Sequence, residues 1–267
     1  MSRHPFFFPD ENDPRINVTH VLRVPVSLVN MSSAVNKITT WVKARDEHFV
    51  CVRDVHGVMQ AQDDMELLKL HHEAGLVVPD GMPLVWIGKC RAGDVVGRVS
   101  GADLVDALCA ASLEGKLSHY FYGGKEGIAD IMASLLSKKY PGLNVAGTYS
   151  PPFGNLSVDQ DQAITQMIAD TSPNIVWVGL STPKQEFWMR DHVGRIPGAT
   201  LIGVGAAFDF HAGRITRAPV WMQRNGLEWL HRLVSEPRRL WRRYILLAPM
   251  FVFLVLIEKF RRIRVRR

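Results

Sequence analysis

Disulfides, nucleotide fingerprints and long apolar runs are scarce or missing in this sequence of 267 residues. Its three cysteines form no CxxC pair and no dense disulfide pattern, which is typical of proteins from a reducing cytosol. Neither GxGxxG nor GxxxxGK[ST] occurs, so a dinucleotide fingerprint and a P-loop are both excluded. The C-terminal apolar run, residues 245–257, has thirteen residues and contains Pro249, whereas a bilayer-spanning helix needs roughly 20.

Metal-ligand spacing is also missing. Asp159 and Asp161 spell a DxD, but they follow Ser157 at the start of a helical pattern and not the end of an apolar strand. We interpret them as a solvated first turn. His71, His72 and the other histidines have no ligand spacing either. We therefore expect no metal site and no cofactor, and negative charge on a phosphorylated ligand would be met by arginines and backbone N–H groups.

Apolar residues make up 47% of the chain and charged residues 22%, as in a folded protein with a sizeable core. The N-terminus has three phenylalanines followed by acidic residues, which is too short and too acidic a pattern for a secretory signal. We expect a loose leader over residues 1–19, a core over 20–215 and an appendage over 216–267.

Positive charge is concentrated in the appendage. Residues 238–267 carry ten Lys and Arg against one Glu, a net charge of +9, whereas the whole chain carries +6 and residues 1–237 therefore sum to −3. Arginines interleaved with tryptophans beside an apolar run indicate either an anionic lipid surface or nucleic acid. The acidic remainder and the apolar middle favour lipid, with the helix lying in the membrane interface and no nucleic acid bound.

The alternatives for this run are a full membrane span and a core-docked helix with a solvated basic end. Ser235 is predicted to cap a helix whose first turn holds Glu236 and Pro237.

Short apolar runs alternate with helical patterns through most of the core. This alternation predicts an α/β fold, a Rossmann-like layered sandwich with a mostly parallel sheet, to which the basic helical appendage is attached. The predicted strands are 49–53, 76–79, 118–122, 144–149, 174–179 and 200–204. The predicted helices are 58–70, 101–113, 128–140, 158–170 and 184–193.

Polar residues of interest follow the strands, where ligands gather in such sheets. Asp80 stands beside Gly81 at a strand end and is either a general base or sugar ligand, or a helix N-cap. Asp54 and His56 follow an earlier strand in the same way, although a lone histidine is more often structural.

Three further loops lead from a strand into a helix. Gly123 and Gly124 let the backbone approach a diphosphate, although a tight turn needs glycine anyway. Gln185 lies in the first turn after Gly179-Leu-Ser-Thr-Pro, where capping explains its neighbours but not Gln185 itself. Asp209 is the polar centre of the loop that begins at Gly203.

Seven motifs in this order resemble the WecG/TagA/CpsF family of bacterial glycosyltransferases, over roughly residues 20–245. They are Pro79-Asp80-Gly81, Arg98-Val-Ser-Gly-Ala-Asp103-Leu, Tyr122-Gly-Gly, Ser150-Pro-Pro-Phe, Gly179-Leu-Ser-Thr-Pro-Lys-Gln-Glu186, Gly203-Val-Gly-Ala-Ala-Phe-Asp209, and the run from Arg217-Ala-Pro to Tyr244.

The resemblance implies an inverting, metal-independent transfer from a UDP-sugar to a polyprenyl-diphosphate-linked saccharide at the cytoplasmic face of the plasma membrane, in exopolysaccharide or cell-surface polysaccharide synthesis. It places the catalytic base at Asp80. It places substrate-binding groups at Asp54, Arg98, Gln185, Asp209, Arg232, Arg239 and Arg242.

One departure concerns the end of the early strand, where family members often carry Thr and Asn. This chain has Arg53 and Asp54 there, which we expect either to pair with one another or to mark a different donor sugar. Two rival functions are a nucleotide-dependent oxidoreductase, which the missing GxGxxG disfavours, and a non-catalytic module that binds membranes or nucleic acid.

Overall fold

The computed structural model of the chain describes residues 18–154 and 156–265, with the backbone alone at residue 224 and residues 260–265. The predicted leader, residues 1–19, lies almost entirely outside the described residues, as do the last two residues of the basic cluster.

Six parallel strands form the central sheet, in the order β4-β3-β8-β7-β5-β6. All six were predicted, with ends correct to one residue. A separate antiparallel hairpin precedes them, and neither of its strands was predicted. The strands are β1 (Val18–Val21), β2 (Val24–Ser27), β3 (Phe49–Arg53), β4 (Leu76–Pro79), β5 (Ser118–Gly123), β6 (Asn144–Tyr149), β7 (Ile175–Gly179) and β8 (Thr200–Gly203).

Helices connect the strands and cover both faces of the sheet. They are α1 (Met31–Ala44), α2 (Val55–Asp63), α3 (Met65–Glu73), α4 (Met82–Ala92), α5 (Gly101–Gly115), α6 (Ile128–Lys139), α7 (Val158–Asp170), α8 (Lys184–His192) and α9 (Ala207–His211). The helix predicted over 58–70 is two helices, because Asp64 has an extended backbone and its side chain caps α3 by accepting the N–H groups of Glu66 and Leu67.

Alternate strand residues face opposite sides of the sheet, and both sides are buried. In β7, Ile175 and Trp177 belong to a core cluster with α1, α5, α6 and α9, whereas Val176 and Val178 belong to a second cluster with α2, α3 and α8. This confirms the predicted layered Rossmann-like α/β fold, because parallel strands covered by helices on both faces need apolar residues at every position.

A crevice opens at the carboxyl ends of the strands. Helix α2 leaves β3 toward one face of the sheet, and α9 leaves the neighbouring β8 toward the other. In open parallel sheets, ligands bind at such a switch point. The loops that follow β3, β4, β5, β7 and β8 all lie at this edge.

The appendage is helical, and no strand occurs in its described part, residues 216–265. Its elements are α10 (Val220–Arg224), α11 (Glu228–Ser235), α12 (Pro237–Trp241), a π-helical turn (Arg242–Leu247) and α13 (Ala248–Val265). The capping role predicted for Ser235 is wrong: Ser235 ends α11, and its hydroxyl donates to the carbonyl oxygen of His231, so Glu236 takes the N-cap position of α12.

One long helix runs from α12 into α13, and it packs on the core. From Pro237 to Lys259 it is long and apolar enough to cross a membrane, by length and composition. Phe251 is nevertheless buried in the second core cluster beside α2, with Leu254 and Val255 packed against it. The opposite side is apolar and exposed, at Ile245, Leu246, Met250, Val252, Phe253 and Leu256.

Candidate active site

A cleft of about 1540 Å³ lies over the carboxyl ends of the strands, between the core and the appendage. Its lining includes nearly every residue that the sequence placed in a substrate site: Asp54, His56, Asp80, Arg98, Gly124, Gln185, Asp209, Arg232, Arg239 and Arg242. The structure thus brings together side chains from five loops and from the appendage.

Asp80 sits at the end of β4 and is not a helix cap. The N-cap of α4 is Gly81, which makes no side-chain bond, so the capping alternative for Asp80 does not hold. Arg98 donates to the Asp80 carboxylate from Nε at 3.1 Å and from Nη2 at 2.9 Å, and to its backbone oxygen at 2.7 Å. Burial raises the pKa of Asp80, and Arg98 opposes that rise. Burial thus favours the protonated form of Asp80, and the ion pair with Arg98 favours the charged form.

Asp54 and Arg53 do not pair with one another, contrary to one expectation from the sequence. Asp54 begins α2, where its side chain accepts the N–H of Gly57, and it forms an ion pair with Arg243 of the appendage. The two side chains diverge because Arg53 is the last residue of β3 and is buried, whereas Asp54 is the N-cap of α2 and lines the cleft. Asp54 therefore ties the appendage to the core.

Arg53 is fully buried beneath the cleft and forms an ion pair with Glu186, whose side chain is also buried. It also donates from Nη1 to the hydroxyl of Thr182 at 3.1 Å. A Cβ on Gly57 would lie 2.9 Å from the Arg53 side chain, so glycine is needed there for the guanidinium to fit. The ion pair joins the end of β3 to the first turn of α8, and the bond to Thr182 joins it to the turn before that helix.

Gln185 projects from the first turn of α8 against the end of β8. It lines the cleft but is only 3% exposed, and its Oε1 is a buried acceptor with no hydrogen-bond partner among the described residues. A Cβ on Gly203 would lie 3.1 Å from its Nε2, which explains glycine at that position. His56 also lines the cleft, and burial lowers its pKa, so it is neutral at pH 7.

The two glycines after β5 have different surroundings. Gly124 lines the cleft with a positive φ of 74°, as the turn requires. Gly123 lies outside the lining: a Cβ there would be 2.7 Å from the backbone of Gly179, so chain packing explains that glycine. Asp209, in the first turn of α9, also lines the cleft.

Three predicted arginines reach the cleft from the appendage. Arg232 lies over the ring of Phe210, with the guanidinium carbon 5.6 Å from the ring centre. Arg239 pairs with Glu236 at 2.8 Å, and Arg242 lies over the ring of Trp241. Together with Arg98 they give the cleft a positive lining suited to a diphosphate.

Sequence reasoning missed four charged residues that shape the site: Asp103, Arg217, Glu228 and Arg243. Arg217 donates to both carboxylate oxygens of Asp103, at 2.6 and 3.2 Å. Glu228 lies between Arg98 and Arg217. Asp103 and Arg217 both stand in motifs that carry the family resemblance, which was a signal for them, but their separation of 114 residues hid the pairing.

Asp161 of the DxD pairs with His192 and Arg195, at 2.9 Å each. Ser157 and Gln160 form a capping box at the start of α7, as the helical interpretation of that run predicted. Within the described part of the chain, no group of three His, Cys, Asp or Glu side chains is placed to hold a metal ion.

Known proteins with similar sequences agree on one family. The model of the glycosyl transferase WecG/TagA/CpsF family matches residues 19–265. The N-acetylglucosaminyldiphosphoundecaprenol N-acetyl-beta-D-mannosaminyltransferase of Bacillus subtilis (strain 168) is 30% identical over 196 residues, 73% of this chain and 74% of that protein. The enzyme of the same name from Bacillus spizizenii (strain ATCC 23059 / NRRL B-14472 / W23) is 28% identical over 218 residues, 82% of each chain.

The family match covers the sheet, the cleft and the appendage alike, so it includes every motif on which the resemblance was based. On this evidence the chain is a glycosyltransferase and belongs to the WecG/TagA/CpsF family.

Proposed function

We propose that this chain transfers a sugar, of the N-acetylmannosaminyl or a related hexosyl type, from a UDP-sugar to a polyprenyl-diphosphate-linked saccharide. The observation that carries the proposal is Asp80, a base-like carboxylate at a strand end in a cleft lined with arginines. The names of both relatives support the acceptor class, since each names a diphosphoundecaprenol-linked N-acetylglucosamine.

The proposed reaction is a single in-line displacement that inverts the anomeric centre. Asp80 accepts the proton of the acceptor hydroxyl while that oxygen bonds to C1 of the donor sugar. The bond from C1 to the diphosphate oxygen breaks, and UDP leaves with the electron pair. Arg98, Arg232 and the other cleft arginines stabilise the negative charge that develops on the diphosphate, so we propose that no metal ion is required.

The roles of the remaining lining residues stay proposals. Asp54, His56 and Gln185 would bind hydroxyl or amide groups of the donor sugar, while Gly124 and Asp209 would contact the nucleotide; Gly123 lies outside the cleft lining and has no such role. Arg239 and Arg242 would close over the diphosphate once both substrates are bound, which also excludes water.

A donor screen tests the substrate class. We expect a UDP-N-acetylhexosamine to raise the Tm of the protein in a thermal-shift assay, because a ligand that binds only the folded state stabilises it. At 100 times its Kd the ligand adds about 2.7 kcal/mol. Uridine alone and NAD serve as controls. Stabilisation by NAD, with no response to any UDP-sugar, would contradict the proposal and favour an oxidoreductase.

We further propose that the appendage places the enzyme on the cytoplasmic face of the plasma membrane as a peripheral protein. One side of α13 is buried against the core at Phe251, whereas the opposite side exposes apolar residues, including Phe253 (62%) and Leu256 (47%). A helix with one docked face and one exposed apolar face suits the membrane interface, where nearby arginines meet anionic headgroups. The division into core and appendage near residue 215 belongs to this proposal.

Vesicle flotation tests the placement. The double variant Phe253→Asp/Leu256→Asp should bind anionic vesicles at least about tenfold more weakly, because each buried side chain of this kind contributes about 1.5–3 kcal/mol. Leu135→Asp, at an exposed position of α6, is the matched control and should bind as the wild type does. Unchanged flotation of the double variant would contradict binding through this face of α13. Alkaline carbonate releases peripheral proteins from membranes, so wild-type protein that resists this extraction would contradict a peripheral helix.

A further inference from the structure

Glu228 is a carboxylate of the appendage that lies between Arg98 of the core and Arg217, which precedes α10. It is the first residue of α11, and its side chain is 12% exposed. One oxygen, Oε2, lies 2.8 Å from Nη1 of Arg98, and the other, Oε1, lies 3.9 Å from Nε of Arg217. A glutamate this buried has to be compensated by positive charge, and both arginines supply it.

The ion pairs around Glu228 form one series in which carboxylates and arginines alternate. Asp80 pairs with Arg98, Arg98 with Glu228, Glu228 with Arg217, and Arg217 with Asp103. This series of ion pairs begins at Asp80, the candidate base, passes through Glu228 of the appendage and ends at Asp103 in the first turn of α5. The position of α11 therefore affects the electrostatic surroundings of Asp80, and Arg98 lies between the two carboxylates.

Arg98 is the link through which Glu228 acts. Its Nε and Nη2 donate to Asp80, and its Nη1 forms an ion pair with Oε2 of Glu228 at 2.8 Å, so the guanidinium lies between the two carboxylates. If Glu228 were absent, Arg98 would pair with Asp80 alone. An arginine paired with one carboxylate holds it in the charged form and weakens it as a proton acceptor.

We propose that Glu228 is a positioning residue of the transferase: it fixes Arg98 and shares its positive charge with Asp80, so that docking of α11 completes the charge arrangement around the base. The inference rests on the proposed function for its kinetic consequences, whereas the charge arrangement itself can be measured in the resting protein. It assigns to the appendage a task inside the reaction centre that is separate from binding membrane or diphosphate.

Several charged groups face Asp80 besides Glu228. Arg98 comes from the loop before α5, and Arg232 comes from α11; both lower the pKa of Asp80, whereas Glu228 raises it. Asp54, paired with Arg243, and His56 line the same cleft. Replacing Glu228 with the neutral Gln removes one of the influences that raise the pKa and leaves the arginines in place, so the pKa of Asp80 should fall.

The test is a carboxylate titration of Asp80 by carbon-detected NMR in the full-length protein, comparing wild type with Glu228→Gln. We expect the midpoint to move to lower pH in the variant and to stay near the wild-type value in Glu228→Asp. Glu66→Gln, the same change at an exposed glutamate of α3, is the control and should leave the midpoint unchanged. A midpoint that is unchanged or higher in Glu228→Gln would overturn the inference.

Kinetics supply the second measurement. With a lipid-linked acceptor and a UDP-sugar, Glu228→Gln should lower kcat about tenfold with a nearly unchanged KM for the donor, since a weaker base slows proton transfer and not binding. The acid limb of its pH–rate profile should move to lower pH. An increase in donor KM at constant kcat would instead make Glu228 a structural support. If no donor is turned over by the wild type, the proposed function fails while the NMR result still decides the role of Glu228.

Discussion

Replacing Asp80 with Asn should lower kcat by about 10²–10⁴-fold, the usual contribution of a positioned acid or base. The amide keeps the size of the side chain but cannot accept the proton of the acceptor hydroxyl. Donor binding should be retained, because Arg98, Gln185 and the appendage arginines are untouched. Single-turnover rates and donor Kd values, measured on the same preparation, separate the two effects.

Asp106→Asn is the matched control for this variant. Asp106 pairs with Lys139 and Tyr140 on the outer side of α5 and does not line the cleft, so its replacement should leave the transfer rate unchanged. Turnover of Asp80→Asn within a few-fold of the wild type would contradict the assignment of the base.

The wild-type rate should also depend on pH in a defined direction. Burial raises the pKa of Asp80 above that of an ordinary aspartate, and a base works only when it is deprotonated. Activity should therefore be lost as the pH falls through this raised pKa, at a higher pH than an exposed aspartate would give. In Asp80→Asn, this loss of activity at low pH should be absent.

Replacing Glu186 with Gln should destabilise the protein by about 3–5 kcal/mol, the usual cost of removing one partner of a buried ion pair. The Arg53 guanidinium would remain buried at the end of β3 without the carboxylate that offsets its charge. A loss of this size lowers Tm by roughly 6–20 °C, at about 2–4 °C per kcal/mol for a chain of about this length. Differential scanning calorimetry measures it.

The double variant Arg53→Met/Glu186→Leu separates the buried charge from simple loss of packing. Removing both charges together should recover much of the lost stability, because neither is then left unpaired. Equal destabilisation of the single and double variants would mean that packing, and not charge, holds the turn before α8. The double variant should still transfer slowly, since Thr182, in the turn before α8, loses its hydrogen bond from Arg53.

The strands could be predicted from the sequence because each is a short apolar run bounded by glycine, proline or a charged residue. The run that ends at Asp80 is a clear example, since its four residues are all buried. Helix α4, which follows at once, was not predicted, because Met82–Ala92 has no clear apolar face and no capping side chain. The periodicity that marks a helix needs one polar and one apolar side.

Prediction of the site succeeded where a polar residue follows a strand and failed where charge pairs join distant segments. Asp80, Gln185 and Asp209 follow strands, and parallel strands end at a common edge, so their proximity follows from the fold class. The pairing of Asp54 with Arg243 spans 189 residues, and nothing local indicates it. Such contacts depend on where the appendage docks, which is a tertiary property.

The proposed mechanism uses Asp80 of the core and arginines of the appendage, and it leads to one expectation about substrates. A soluble acceptor with a short prenyl chain should be used by the enzyme, because in the proposed mechanism Asp80 and the arginines contact the sugar hydroxyl and the diphosphate and not the lipid. The exposed side of α13 would then affect the rate only when the acceptor is presented in vesicles.

The most direct measurement is the transfer reaction itself. The full-length protein is incubated with an α-linked UDP-N-acetylhexosamine and a diphosphate-linked N-acetylglucosamine acceptor in excess EDTA, and the new linkage is analysed by proton NMR. The account predicts a disaccharide product whose new anomeric bond is β, formed at the same rate with and without EDTA. An α-linked product, or activity that requires a divalent cation, would contradict it.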